Sequence, residues 1–416
     1  MKFAVSPFAP DRFPHLPVVG GLSAAVASRG FYTAAGLQRD DVFLIAFDQG
    51  TTCAGVFTRS TTASADVDWC RTALKFSGGE ARALLVNAGN SNAFTGLKGA
   101  EKNEASLKML TRTLQVPKDQ CFLAATGVIG EPLPDPNFVG QIVPELAGRM
   151  RQPDFEALAR AFMTTDTYPK GAGETVMLDD HPVAISGIAK GSGMIAPNMA
   201  TMLAYIFTDA AVSPAVLDAL IREICDETFN AITVDGDTST SDTFMVFATG
   251  ASGAPAITSV ADPRLQALRT GLRRVATDLA LAVVKDGEGA TKFVTITVAG
   301  APSRADARAI AAAVGNSPLV KTALAAGDAN WGRIVMAIGK ADVPVRQERL
   351  SIWFGDLQVA DRGARAADYN EAMASAICAE PEIQIRIVLG DGPGAFTLYT
   401  CDLTHAYIDI NGAYRT

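Results

Sequence analysis

Ser186–Ala210 reads SGIAKGSGMIAPNMATMLAYIFTDA. One lysine, Lys190, sits among glycines, and an apolar run continues through the threonine at 201 to Phe207. Small residues followed by such a run describe a buried loop that feeds a core helix or strand. The uncharged part, Gly193 to Thr208, is too short to cross a bilayer and carries Pro197 and Asn198.

Further strand signals lie upstream. VFLIAF (Val42–Phe47), the turn Asp48-Gln49-Gly50 and CAGVFT (Cys53–Thr58) together read as a hairpin. ARALLVNAG (Ala81–Gly89) and CFLAATGVIG (Cys121–Gly130) are apolar strands that run into small-residue loops. Between them, Ala105, Leu107, Leu110 and Leu114 have helical spacing, and the pattern stops before Pro117. Phe155–Met163 reads as a further helix.

Downstream, Arg264–Val284 is a clear helix, with Leu265, Leu268, Leu272, Val275, Leu279 and Val283 on one face. FVTITVAG (Phe293–Gly300) alternates with period two, and helical stretches follow at Arg304–Val314 and Trp331–Ile338. Three strand-like runs end the chain: RLSIWFG, IQIRIVLG and AFTLYTCDLTHAYIDIN. Strands and helices mixed without a regular βαβ rhythm predict a layered α/β or α+β protein.

The 416 residues are 48% hydrophobic and 19% charged, enough for a large core and far from a disordered composition. With 36 basic and 44 acidic side chains the net charge is −8, and neither half is basic, which argues against nucleic-acid binding and against an electrostatic membrane anchor. His15, His181 and His405 are isolated from one another, and the six cysteines include no C-x-x-C pair, so no metal site is expected. Unpatterned cysteines in a long chain, and the lack of a convincing leader around Pro17–Ser28, predict a reduced, cytoplasmic protein.

Several motifs fail on context. GDGPGA (Gly390–Ala395) fits a dinucleotide-binding pattern, but the next residues, FTLYTCDLT, are strand-like, so a tight turn between antiparallel strands is expected. VDGDTSTSDT (Val234–Thr243) lacks the central Gly and closing Glu of a calcium loop and reads as a hydroxyl-rich loop near a site or subunit contact. No G-x-S-x-G elbow is present.

With so few histidines, few ordinary bases are available to activate a hydroxyl. A threonine freed at its own amino end by backbone cleavage carries its base with it, because an α-amino group titrates near neutrality beside the hydroxyl. The small residues at the Ala200–Thr201 bond leave room for that attack.

The stretch KGSGMIAPNMATML resembles the ornithine acetyltransferase family, the glutamate N-acetyltransferases of arginine biosynthesis. The resemblance covers nearly the whole chain: CAGVFT, VNAGNSNAFTG (Val86–Gly96), ATGVIG (Ala125–Gly130), MTTDTYPK (Met163–Lys170), DGDTSTSDT, VKDGEGATKF (Val284–Phe293), GDANWGRI (Gly327–Ile334) and INGAYRT (Ile410–Thr416). It implies a layered α/β fold of two interleaved domains and self-cleavage between Ala200 and Thr201. That would give an α chain, 1–200, and a β chain, 201–416, assembled as a heterotetramer or larger. Thr201 would be the nucleophile, with Thr126 and Gly127 as the oxyanion hole. Thr167, Lys190, Thr201, Glu288, Asn411 and Thr416 would contact the substrates. Lys190 suits an α-carboxylate and Glu288 an ornithine ammonium.

The implied reaction moves acetyl from N2-acetylornithine to glutamate through an acetyl-threonine. No cofactor or metal is implied, and the sequence leaves open whether acetyl-CoA also serves as donor. A rival reading is a self-processing amidase or peptidase that passes the acyl group to water. Ala88, Ser91, Phe94 and Ala125 depart from the family's usual VNSGNANACTG and STGVIG, which bears on fine specificity rather than on the reaction.

Overall fold

The computed structural model describes residues 4–33, 36–196 and 202–413. Three sheets organise them. The first runs β1 (Leu22–Ala27), β2 (Val42–Phe47), β4 (Ala83–Asn87), β5 (Cys121–Ala125), with only β4 and β5 parallel. The second runs β3 (Thr52–Phe57), β9 (Thr243–Ala248), β8 (Leu203–Thr208), β7 (His181–Lys190), β6 (Lys170–Leu178), with β8 and β9 parallel.

These two sheets stack face to face. Phe43, Ile45 and Phe47 of β2 share one core with Leu203, Tyr205 and Phe207 of β8 and Phe247 of β9. The Phe47 and Phe247 rings stack at 4.5 Å. The intervening residues point the other way and meet helices: Val42 and Leu44 lie with Leu107 and Leu110 of the helix Leu97–Leu114. Ala204 and Ile206 lie with the helices Pro214–Glu227 and Leu265–Lys285. The result is a helix–sheet–sheet–helix stack. Strands covered on both faces are apolar at every position, which is why VFLIAF and LAYIFT lack alternation.

The third sheet runs β13 (Ala364–Arg365), β12 (Leu357–Asp361), β11 (Ser351–Phe354), β14 (Glu382–Val388), β10 (Phe293–Gly300), β15 (Gly392–Cys401). It builds a separate core with the helices Arg304–Gly315 and Trp331–Gly339. The layered α/β class expected from the sequence is therefore the one observed.

Two local expectations are corrected. Val42–Phe47 and Cys53–Thr58 do not form a hairpin: β2 pairs with β1 and β4, whereas β3 pairs with β9. The turn between them carries the chain from one sheet to the facing one. The last strand-like run also divides, because β15 ends at Cys401 and His405–Ala413 is a helix. The GDGPGA turn does join strands of opposite direction, β14 and β15, but they straddle β10 rather than pair with each other. Among the described residues no helix is long and apolar enough to cross a membrane.

Candidate active site

β4 and β5 end side by side at Asn87 and Ala125, and the chain continues from them into small-residue loops. In the facing sheet β7 ends at Lys190, opposite Leu203 at the start of β8. A cavity of about 360 Å³ opens where these strand ends meet. Its walls include Thr126, Gly127, Thr165, Lys190, Glu288 and Asn411, together with residues of the loop 235–241. Thr126, Gly127, Lys190, Glu288 and Asn411, five residues singled out in the sequence, are thus brought together.

Thr126 is fixed by its amide, which donates to the Asn87 carbonyl at 3.0 Å. Gly127 follows with φ +124°, and a Cβ there would lie 2.5 Å from the Gly89 carbonyl carbon. Only glycine lets the two loops approach this closely in that conformation. Lys190 Nζ donates to Thr126 Oγ1 at 3.1 Å. An ammonium has no lone pair, so the hydroxyl is the acceptor in this bond and its own proton is left to donate elsewhere. Lys190 is buried, which depresses its pKa, while Asp166, Glu288 and Asp242 pull it back up.

Glu288 lies against Gly193, where a Cβ would fall 2.5 Å from its carboxyl. Its amide donates to the Ser192 carbonyl at 2.9 Å, and Asn411 Nδ2 donates to Oε2 at 2.6 Å. Burial raises the Glu288 pKa, and hydrogen bonds from Thr165 and Asn411 oppose that rise. The helix His405–Ala413 closes this side with two residues one turn apart: Asn411, and Tyr407, whose hydroxyl donates to Asp235 Oδ2 at 3.2 Å. Asp235 in turn accepts from the Met194 and Ile195 amides at 2.6 and 2.9 Å. The hydroxyl-rich loop, expected near a site or a subunit contact, lines this cavity.

Thr167 stands apart from this cavity. Its hydroxyl donates to Asp286 and accepts from the Ser6 amide at 3.0 Å, and it borders a neighbouring hollow with Ser192 and Gly289. Thr164 and Thr165 of the same TTDT segment face the candidate site instead. Ala200, Thr201 and Thr416 lie outside the described residues. Both neighbours of the 197–201 segment are placed, however: Ala196 and Met202 are buried, and the Val234 amide next to the cavity loop donates to the Ile195 carbonyl at 2.8 Å. Of the departures from the family's pattern, Ser91 lines the cavity and holds the Val128 carbonyl at 2.7 Å. Ala88 and Ala125 are buried and Phe94 is exposed.

A charged support under the site escaped the sequence reading. Lys170 is fully buried and bridges Asp166 and Asp286 at 2.6 and 2.5 Å. Burial alone would push Asp166 up, but the Lys170 and Lys190 ammoniums outweigh it and hold it below the usual carboxylate range. Asp166 also accepts from the Gly191 amide at 2.7 Å, which anchors the backbone just beyond Lys190. MTTDTYPK gave a signal, since a lysine four residues after an aspartate is a pairing distance only when the chain turns. Its partner Asp286 is 116 residues away.

The family model that matches residues 29–416 is described as the ArgJ family. The chain belongs to the ArgJ family. The arginine biosynthesis bifunctional protein ArgJ of Bradyrhizobium diazoefficiens is 50% identical over 419 residues, covering 100% of both chains. The protein of that name from Brucella suis biovar 1 is 49% identical over the same span and coverage. Among solved structures, the arginine biosynthesis bifunctional protein argJ from Bacillus halodurans is 36% identical with a TM-score of 0.49, covering 50% of this chain and 98% of that one. Membership in the ArgJ family agrees with the resemblance read from the motifs.

Proposed function

We propose that the cavity holding Thr126, Lys190 and Glu288 is where this ArgJ-family chain carries out acetyl transfer, with Thr201 as nucleophile. The enzyme moves the acetyl group of N2-acetylornithine to glutamate, giving ornithine and N-acetylglutamate in arginine biosynthesis. The observation that carries the site assignment is the Lys190–Thr126 hydrogen bond, which leaves the Thr126 proton free for a developing oxyanion.

The chain first cuts itself between Ala200 and Thr201, yielding an α chain of 1–200 and a β chain that begins with Thr201. The new α-amine takes the proton of the Thr201 hydroxyl, and Oγ attacks the acetyl carbonyl. Thr126 Oγ and the Gly127 amide hold the oxyanion, the usual largest contribution in acyl transfer. The carbon–nitrogen bond to ornithine breaks, nitrogen takes the proton back from the amine, and an acetyl-Thr201 ester remains. Ornithine departs and the glutamate amine attacks the ester, which is ping-pong transfer. Glu288, held by Asn411, receives the ornithine side-chain ammonium, and Lys190 the α-carboxylate. Thr416 completes the substrate contacts.

The word bifunctional in the relatives' names supports a second acetyl donor, acetyl-CoA, acylating the same threonine. No resident cofactor is needed for either donor. The processed chains pair as a heterotetramer or larger. Ornithine release measured with and without glutamate tests the reading against hydrolysis. Transfer requires glutamate for sustained turnover, whereas an amidase releases ornithine regardless of it.

A further inference from the structure

β3 is the edge strand of its sheet, and a hollow of about 430 Å³ opens beside its residues Gly55, Val56 and Phe57. Four guanidiniums from four places in the chain converge on it. Arg59 lies just past β3, Arg71 on the helix Ala65–Ser77, Arg222 on the helix Pro214–Glu227 and Arg308 on the helix Arg304–Gly315. Among the described residues, Asp226 is the one carboxylate in the wall. In a chain of net charge −8 this is a local reversal of sign.

Three of the arginines are braced. Asp218 accepts from Arg222 Nε and Nη2, both at 2.9 Å. Arg308 donates to Asp226 at 3.0 Å and to the Asn230 carbonyl at 3.3 Å. Arg71 donates to Asp68 at 3.0 Å and to the Thr58 carbonyl. Asp68 and Asp218 stand outside the wall, and a guanidinium has five donors, so each braced arginine keeps donors for a guest. Arg59 has no hydrogen-bond or ion-pair partner among the described residues. Planar forks of this kind match phosphate oxygens two at a time.

The hollow adjoins the candidate active site. The Thr58 hydroxyl donates to the Ser239 carbonyl at 2.7 Å, and Ser239 lines the cavity at Thr126. Arg59 is the next residue and Arg71 holds the Thr58 carbonyl, so Thr58 joins the two walls. Their charges differ. In the Thr126 cavity Asp235, Asp237 and Glu288 outnumber Lys190, which disfavours a multiply phosphorylated group there. A donor that carries its acetyl group on a long arm, away from its phosphates, needs a second and cationic seat.

We propose that the arginine hollow binds the phosphate groups of acetyl-CoA, whose acyl arm reaches past the loop 235–241 to the Thr126 cavity. This rests on the second-donor reading above.

The test compares both acetyl donors on the wild type and on R59Q/R222Q. Arg59 and Arg222 are exposed and lie outside the Thr126 cavity, so Tm and N2-acetylornithine transfer serve as controls. The KM for acetyl-CoA is expected to rise about tenfold or more, with both controls unchanged. An unchanged KM for acetyl-CoA overturns the proposal, and so does an equal loss with both donors. Calorimetric titration with adenosine 3′,5′-bisphosphate and with inorganic phosphate separates the sources of the anion. The bisphosphate is expected to bind the wild type more tightly than inorganic phosphate and to bind R59Q/R222Q about tenfold more weakly or worse. A wild type that binds the bisphosphate in this way but does not turn over acetyl-CoA would defeat the second-donor reading and leave the phosphate site standing. No binding of the bisphosphate, or tighter binding of inorganic phosphate, overturns the site itself.

Discussion

Lys190 and Thr126, 64 residues apart, meet at 3.1 Å across the ends of two facing sheets. The bond runs from ammonium to hydroxyl oxygen, so it sets the direction in which Thr126 donates. A residue whose proton is aimed before substrate arrives costs no reorganisation during the reaction.

Thr126→Ala removes that donor and leaves the fold intact, because the backbone contact to Asn87 remains. The expected loss is roughly a hundred- to thousand-fold in kcat, with little change in KM for N2-acetylornithine. Steady-state kinetics on the cut enzyme check this. A rise in KM with kcat unchanged would assign Thr126 to ground-state binding instead.

Gly127→Ala introduces a Cβ into the Gly89 backbone at a φ that side chains avoid. Backbone does not yield as a flexible side chain does, so Tm is expected to fall by the equivalent of about 1–3 kcal/mol. Activity is expected to fall with it, since the amide proposed to hold the oxyanion must move. Thermal unfolding and kcat, measured on one preparation, check both parts.

Lys170→Met leaves Asp166 and Asp286 buried without their shared cation. Removing one partner of a buried ionic group costs about 3–5 kcal/mol, far more than an exposed pair is worth. Chemical denaturation checks the loss. A change below about 1 kcal/mol would show that the three groups do not depend on one another.

Glu288 must be ionised to hold an ammonium, and burial raises its pKa. Binding of N2-acetylornithine therefore weakens as pH falls through a value above the ordinary carboxylate range. The Asn411 hydrogen bond favours the ionised form, so Asn411→Leu raises that pKa further. The acidic limb of kcat/KM is expected to move to higher pH, which a pH series at subsaturating substrate measures.

Much of this was legible in the sequence, for reasons that differ by element. Leu265–Lys285 has one exposed and one buried face, and Phe293–Gly300 one half-buried and one buried face, so their periodicities of 3.6 and 2 are plain. Val42–Phe47 is covered on both faces, and nothing within it says which strand it pairs with; the short Asp48-Gln49-Gly50 turn suggested the wrong neighbour. His405–Ala413 looked like strand because Ala406, Ile408 and Ile410 alternate. Its helical turn shows instead in Asn411, whose Nδ2 donates to the Tyr407 carbonyl at 2.9 Å while also holding Glu288. The roles of Thr126, Lys190 and Glu288 came from the resemblance, since a hydroxyl, an amine and a carboxyl so far apart in sequence carry no local signal. The buried pairing of Lys170 with Asp286 is a product of the fold, which a single sequence does not display.

The most direct test of Thr201 as the acetyl carrier is mass spectrometry of the enzyme incubated with N2-acetylornithine and no glutamate. The expected product is a fragment that begins at Thr201 and carries one acetyl group, lost when glutamate is added. An acetyl group on another residue, or turnover by a chain uncut at Ala200–Thr201, would contradict it.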